Sequence, residues 1–194
     1  MASAVEICNR ALQLLGASRI VSLSDASVNA RACNNAYDPV RRAELRANNW
    51  NFSIKRARLP VSGVAPAFGR TNAFPLPTDY LRLLPPYPED NLNSRDWLIE
   101  QHESQRCVLT DDSAPLDVRY VADVTDPNLM DALFQESLAY AMAAAMCEEL
   151  TQSNSKLEAV TGGYQFKVAE AKRVNAIENV PTVPVEDTWV TVRV

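Results

Sequence analysis

The chain has 194 residues, of which 47% are hydrophobic, and its 19 Lys and Arg stand against 24 Asp and Glu for a formal net charge of −5. This length predicts one domain, or one domain with an insertion, and the apolar fraction is sufficient for a packed core. Residues 1–60 carry a formal charge of +5 and residues 61–194 one of −10. Because affinity for DNA comes largely from neutralised phosphates, the acidic remainder argues against a protein that wraps nucleic acid tightly.

The first predicted helix covers residues 4–15. Ser3 and Glu6 have the spacing of a capping box, in which each side chain accepts from the main-chain N–H of the other residue. Gly16 follows where a left-handed residue ends a helix. Apolar residues at helical spacing predict one buried face.

A second helix is predicted to follow a cap at Ser24 or Asp25. It contains Pro39, which has no N–H and crowds the preceding turn, so we expect a kink or two helices that meet at Asp38-Pro39. Four residues recur at every fourth position, which places them on one helical face: Val28, Ala32, Ala36 and Val40.

The helical period stops at Trp50, and the residues after Phe52 predict a strand. Each of these two aromatic side chains can bury roughly 150–250 Å². We therefore interpret them as a plug between the helical and extended parts. The predicted structural junction comprises Tyr37, Pro39, Trp50 and Phe52.

Prolines exclude long helices from the middle of the chain, between residues 60 and 94. The sequence from Phe74 predicts an extended entry, a turn at Thr78-Asp79, and then a strand or a short helical turn. Three further segments alternate as strands do, and together they predict a small antiparallel sheet: 97–101, 106–110 and 116–122.

The third predicted helix opens at Asp126-Pro127, with Asp as the cap and Pro at the first helical position, and runs to about residue 151. Residues 138–147 carry no charge. A helix that is apolar on most sides is surrounded by other elements, and this run is too short to span a bilayer.

The last predicted helix starts at a capping box of Ser155 and Glu158 and ends near residue 177. Gly162-Gly163 lies inside it, at a cost of about 1 kcal/mol each relative to alanine, so we expect a bend or a close contact there. The predicted inner face is Leu157, Val160, Tyr164, Val168 and Ala171.

These elements predict a mainly α fold: an α-helical bundle of about four long helices with a small inserted antiparallel β-sheet and an extended C-terminal arm. Residues 1–59 and 126–178 are predicted to form one helical domain, with 60–125 inserted as a proline-rich and β region. The arm, residues 179–194, alternates as a strand from Thr188. It has too little local partner sequence to fold on itself, so it is predicted to pack on its own sheet or to reach another chain.

No group of residues predicts a catalytic, cofactor or metal site. His102 is the only histidine, and on a strand it shares a face with Glu100 while Glu103 points away, which favours a surface histidine. The four cysteines are dispersed without a C-x-x-C motif, which indicates reduced, buried thiols. The pair Asp111-Asp112 is interpreted as a turn rather than an acid/base pair.

Several motifs follow one another in a fixed order. The first helix ends in Leu-Leu-Gly, and the most specific pieces are Tyr37-Asp38-Pro39 with Trp50-Asn51-Phe52, and Leu76-Pro77-x-Asp79. Over residues 3–178 this order resembles the tail tubular protein A, or head-to-tail adaptor (gatekeeper), family of short-tailed bacteriophages and related prophages.

The resemblance implies a structural virion protein and not an enzyme. Twelve copies would form a homo-oligomeric ring beneath the portal protein and above the tail nozzle, or tail tubular protein. DNA would pass through the lumen during packaging and ejection without sequence-specific binding. The implied location is the head-to-tail junction of the virion, after assembly in the host cytoplasm, with no cofactor and no membrane. An acidic lumen would repel DNA and keep it sliding, and a basic channel surface would contradict that hypothesis.

The C-terminal arm is predicted to bind the portal or a neighbouring subunit, either by adding as a strand or by inserting into a groove. Trp189 would be the anchor, because aromatic anchors dominate interfaces. The candidate contact residues are Val183, Val185, Trp189, Val190, Val192, Arg193 and Val194.

Two other classes of function remain open at this point. A small nucleic-acid-binding regulatory module would use the basic helix around Arg41, Arg42 and Arg46, and it predicts salt-dependent binding of free DNA. Helical charge of this kind is more often a solvated face. A tail-associated hydrolase would need a nucleophile beside His102, and the sequence has no G-x-S-x-G elbow to supply one.

Overall fold

The computed structural model describes residues 2–85 and 97–178, so the C-terminal arm and its predicted contact residues, Val183 to Val194, lie outside the described residues. The described part contains four α-helices and six strands. The helices are α1 (Ala4–Leu15), α2 (Val28–Ala47), α3 (Ala132–Thr151) and α4 (Asn154–Ile177). The strands are β1 (Ile54–Leu59), β2 (Asn72–Pro75), β3 (Tyr80–Leu83), β4 (Leu98–His102), β5 (Gln105–Thr110) and β6 (Leu116–Ala122).

The predicted fold class is wrong. The described chain is an α/β mixture with two antiparallel three-stranded sheets, of order β1-β6-β3 and β2-β5-β4, and not a four-helix bundle with one small sheet. A strand is stable only with neighbours beside it. The strand predicted after Trp50 therefore joins β6 along its whole length, from Ile54 opposite Val121 to Leu59 opposite Leu116. This pairing turns the predicted single sheet into two.

Helix α3 is the centre of the helical layer. It packs against α1, α2 and α4, and it buries Phe134, Leu138, Met142 and Met146 almost completely. The prediction that the uncharged helix is surrounded is confirmed. None of the described helices combines the length and the apolar character that a membrane crossing requires.

Helix α2 is one continuous helix that contains Pro39, so the alternative of two consecutive helices is wrong. Pro39 and Asn35, whose carbonyl loses its helical partner, are both exposed, and water can replace the missing bond. Of the four residues predicted to share one face of α2, Val28 is 52% exposed. The buried residues are Ala30, Ala32, Cys33, Tyr37, Arg41 and Leu45.

The start of α1 is confirmed, with a capping box between Ser3 and Glu6 and a left-handed Gly16 at its end. The other three starts are shifted by a few residues, because each region offers several short polar side chains. Asp25, for example, accepts from main-chain N–H groups of the preceding turn. Helix α2 is capped by Ser27 in place of Ser24 or Asp25. Helix α3 is capped by Asp131 in place of Asp126, and α4 by Ser153 in place of Ser155.

The two sheets share a small core of their own. Along β6, Leu116, Val118 and Tyr120 pack with Phe74 and Val108 of the second sheet. Val121 points the other way, into the helical core. The first sheet therefore lies between the helices and the second sheet. All four cysteines are free and buried, as predicted.

Gly163 marks the close approach of α3 and α4 that the sequence predicts. A Cβ at this position would lie 2.4 Å from Cε1 of Tyr140, whereas a Cβ at Gly162 would meet nothing within 4 Å. Gly163→Ala is expected to lower the free energy of unfolding by about 1–3 kcal/mol, because the ring or the helices must move. Gly162→Ala is expected to raise it by up to about 1 kcal/mol. Chemical denaturation measures both, and equal effects would contradict the close contact.

Candidate interaction surface

Arg41 ties α2 to the first sheet. Its side chain is 3% exposed and forms ion pairs with Asp38, at 3.0 Å, and with Asp123. The same guanidinium donates to the carbonyl of Val124 at 2.6 Å, and it lies 6.0 Å from the centre of the Tyr37 ring. The buried charge is therefore compensated by residues at the end of β6 and by the Tyr37-Asp38 motif.

The neighbouring arginines of α2 also contact the protein itself. Arg42 Nε lies 3.3 Å from a carboxylate oxygen of Asp123, and Arg46 donates to the carbonyl of Leu81. Arg41 is inaccessible to a phosphate, which disfavours the nucleic-acid-binding module that the sequence leaves open.

Asp79, of the Leu-Pro-x-Asp motif, links all three strands of the first sheet. It lies immediately before β3, and its carboxylate accepts from Lys55 Nζ of β1 at 2.7 Å and from the hydroxyl of Tyr120 of β6 at 3.0 Å. Burial alone would raise the pKa of Asp79, but these two hydrogen bonds hold the pKa below its ordinary value. Burial and the bond to Asp79 raise the pKa of Tyr120 to about 12.

Asp79→Asn is expected to lower the free energy of unfolding at pH 7 by about 1–2 kcal/mol, because it weakens charge-assisted hydrogen bonds. Because the folded-state pKa of Asp79 is depressed, its carboxylate stabilises the fold at pH values above its unfolded-state pKa of about 3.9. This stabilisation is lost as the pH falls through the folded-state pKa. Denaturation curves of wild type and variant should therefore converge on acidification below pH 4. The control is Asp117→Asn, which breaks an exposed pair with Arg58 and should cost less than about 1 kcal/mol. A difference that does not depend on pH would contradict this account.

The predicted aromatic plug is confirmed at the helix–sheet junction. Trp50 is 1% exposed. Its ring centre lies 6.4 Å from that of Phe52 and 5.1 Å from that of Phe134 in α3. Its indole N–H donates to the carbonyl of Glu44 at 3.1 Å.

Asn175 fixes the end of α4 to this junction. Its side-chain oxygen accepts from the main-chain N–H of Asn51 at 2.8 Å, and its amide donates to the carbonyl of Asn49 at 2.8 Å. The Asn51 side chain in turn donates to the Asn175 carbonyl at 2.9 Å. Helix α4 therefore ends where the helices meet the first sheet. Sequence patterns did not indicate Asn175, because a single asparagine near a helix end carries no specific signal.

Two large apolar side chains of helix α4 face outward. Val160, Val168 and Ala171 are buried, whereas Phe166 is 67% exposed and Ile177 is 75% exposed. At 100° per residue, these two large side chains lie on the opposite side of the helix from the buried three. We call Phe166 and Ile177 the outer face of α4.

Four arginines gather on one side of the first sheet, the side that points away from the second sheet. They are Arg56, Arg58, Arg82 and Arg119, and we call them the arginine face. Arg56 lies directly opposite Arg119, and Arg58 opposite Asp117. A cleft of about 460 Å³ is lined here by residues 56–58 and 117–119. Asp117 is the one acidic residue of that lining in the described chain.

The described residues contain no group of three or more His, Cys, Asp or Glu side chains placed to hold a metal ion. His102 is partly exposed, and its Nε2 lies 3.0 Å from the carbonyl of Val64. No model of a known protein family matches the chain, and no curated protein matches it significantly.

Proposed function

We propose that this protein is a structural component of a bacteriophage virion: a head-to-tail adaptor that forms a ring between the portal protein and the tail nozzle. Twelve copies enclose a channel through which DNA is packaged, retained and ejected. The protein acts by assembly and not by catalysis. Its place is the head-to-tail junction, reached after assembly in the host cytoplasm. The resemblance of the ordered motifs suggests this function, and the outer face of α4 is the structural observation that carries it.

The outer face of α4 supports assembly because it leaves large apolar side chains in water. Fully burying a Phe or Ile side chain contributes about 1.5–3 kcal/mol. The opposite side of α4 already packs on α3, so none of the other described elements covers Phe166 and Ile177. In a ring of identical subunits, one such contact recurs at every interface, which multiplies its effect.

The residues that carry the resemblance also support a structural role. Asp38 pairs with Arg41, Asn51 binds the end of α4, and Asp79 links three strands. The contacts of Asn51 and Asp79 fix one element of the fold to another, and Asp38 holds Arg41, which pairs with Asp123 beyond the end of β6. A protein that transmits force between a capsid and a tail depends on such rigid connections.

Phe166→Asp tests the proposed subunit interface. It is expected to raise the dissociation constant for self-association by about tenfold or more, since a charge at a buried contact costs at least about 1.4 kcal/mol. The control is Val21→Asp between α1 and α2, where the native side chain is 90% exposed, and it should leave assembly unchanged. Sedimentation velocity over a range of concentrations, with and without portal protein, measures both. Unchanged assembly of Phe166→Asp would exclude this face as the interface.

A further inference from the structure

A ring of more than two identical subunits needs two different surfaces on each copy, because one patch of a subunit meets another patch of the next. The two patches must also be complementary. Two charged surfaces of the described chain have this relation. We call the first the basic cleft and the second the acidic corner. The basic cleft comprises Arg42, Arg46 and Arg106, and the acidic corner comprises Glu148, Glu149 and Glu158.

The basic cleft lies between the end of α2 and the second sheet. It consists of two adjoining clefts, of about 680 Å³ and about 410 Å³, and Tyr80 and Arg106 line both of them. Arg46 lines the larger cleft and Arg42 the smaller one. Arg106 is two residues from Val108, which packs in the core between the sheets, so both lie on the same face of β5. Arg106 is exposed, and the cleft is therefore the place where that core opens to solvent.

The positive charge of the basic cleft is only partly compensated within the subunit. Arg106 forms no salt bridge or side-chain hydrogen bond with any described residue. Arg46 donates to a neutral main-chain carbonyl, whereas Arg42 pairs with Asp123. Glu100 is the one carboxylate that lines the cleft in the described chain. The cleft can therefore accept further negative charge.

The acidic corner lies where α3 is followed by α4. Glu148 and Glu149 are in the last turn of α3, and Glu158 is near the start of α4. All three are exposed, and none forms a salt bridge or side-chain hydrogen bond with a described residue. The helix dipole favours cations in a last turn, so Glu148 and Glu149 are unfavourable for α3 itself. Lys156 is the only basic residue between Glu148 and Glu158, so the corner keeps a net negative charge.

The basic cleft and the acidic corner of one subunit cannot meet. Helix α4 rises about 30 Å from its start at Asn154 to Asn175. The amide of Asn175 donates to the carbonyl of Asn49, which is three residues after Arg46. The corner therefore lies at the start of α4 and the cleft near its end, and a contact between them requires two copies.

Apolar side chains accompany the charges on both surfaces. Leu157 at the corner and Ile99 in the cleft lining are both exposed, and the Tyr80 side chain lines the cleft between the arginines. A contact between the two surfaces would bury these side chains and pair the charges around them. An apolar centre with a polar rim is the usual composition of a protein interface.

We propose that the acidic corner of one subunit binds in the basic cleft of the next, with Glu148 and Glu149 paired with Arg46 and Arg106. This inference rests on the proposed ring and names the two patches that join its subunits. The contact is heterologous, so an open chain of subunits has a free cleft at one end and a free corner at the other until the ring closes. Complementary charge fixes the direction in which the copies add.

Reversing the charge of each surface tests the proposal. Arg46→Glu/Arg106→Glu makes the cleft acidic, and Glu148→Arg/Glu149→Arg makes the corner basic. Each variant alone is expected to self-associate about tenfold more weakly or worse, because like charges then face each other. An equimolar mixture should recover the association of the wild type, because each reversed surface then meets its complement. Sedimentation velocity measures all of these, and the control is Arg31→Glu, at an exposed arginine near the other end of α2, which should leave association unchanged.

Zero-length crosslinking adds a measurement that needs neither portal protein nor a complete ring. Arg46→Lys and Arg106→Lys each place an amine in the basic cleft, and a carbodiimide joins an amine to a carboxylate in contact with it. Isotopically heavy protein that carries the new amine is mixed with light wild-type protein. Mass spectrometry is expected to find this amine joined to Glu148 or Glu149 of the light chain. Arg31→Lys is the control and should give no such product.

The proposal is overturned if the mixed reversed variants associate no better than each variant alone, or if neither lysine variant gives the heavy–light crosslink. Rings that form normally from either reversed variant would exclude this contact and leave the proposed function intact. A crosslink in a protein that does not bind portal would support the contact and contradict the proposed function. Binding of a DNA duplex that is lost in Arg46→Glu/Arg106→Glu, with no crosslink, would assign the cleft to phosphates instead.

Discussion

Arg41→Met should lower the free energy of unfolding by about 3–5 kcal/mol. The substitution keeps much of the side-chain volume but removes the charge that compensates Asp123, which is itself only 19% exposed. Removing the buried partner of this ion pair leaves Asp123 with only the exposed Arg42 as a counter-charge, and this accounts for most of the cost. The Val124 carbonyl would also lose its donor. Denaturation in urea, monitored by circular dichroism, gives the difference.

Arg42→Met is the matched control for Arg41→Met. Arg42 is the next residue of α2 and also pairs with Asp123, but its side chain is 58% exposed. Exposed pairs contribute about 0–1 kcal/mol, so this variant should unfold close to wild type. Two variants of equal stability would show that burial of Arg41 does not hold α2 to the sheet.

Trp50→Ala should cost about 3–5 kcal/mol, the usual range for truncating a buried aromatic side chain to alanine. The loss opens a cavity against Phe52 and Phe134 and leaves the Glu44 carbonyl without its indole donor. Because Trp50 lies between α2, α3 and β1, the helical and sheet parts should loosen together. The change in unfolding free energy, obtained by chemical denaturation, measures the effect.

Phe68→Ala provides the comparison for Trp50→Ala, since Phe68 is 89% exposed. Truncation at such a surface position usually changes stability by no more than about 0.5 kcal/mol. If Trp50→Ala costs as little as Phe68→Ala, the aromatic plug is not the support that its packing indicates.

Local signals in the sequence predicted those parts of the fold that depend on near neighbours. Ser3, Glu6 and Gly16 have no competitors nearby, and α1 has the predicted bounds. Where polar residues cluster, as between Ser24 and Ser27, composition does not decide which of them caps the helix. The predictions for the start of α2 and for the starts of α3 and α4 failed for this reason.

Long-range pairing explains the larger errors. The partner of Ile54 is Val121, in a distant part of the chain, and no local period shows that these residues form one sheet. The burial of Arg41 likewise depends on Asp123 and Val124. Judged from the sequence of α2 alone, Arg41 resembles a solvated side chain. The role of Trp50 and Phe52 at the junction was predictable from the size of their side chains. The arginine face could not be predicted without the register of β1 and β6.

The mass of the purified protein, measured by native mass spectrometry alone and after mixing with its portal protein, tests the proposed assembly most directly. The account predicts that, with portal present, the protein is found as a ring of about twelve copies of 21.5 kDa bound to the portal. A protein that stays at the mass of a single 21.5 kDa chain, with no portal-bound form, would contradict it.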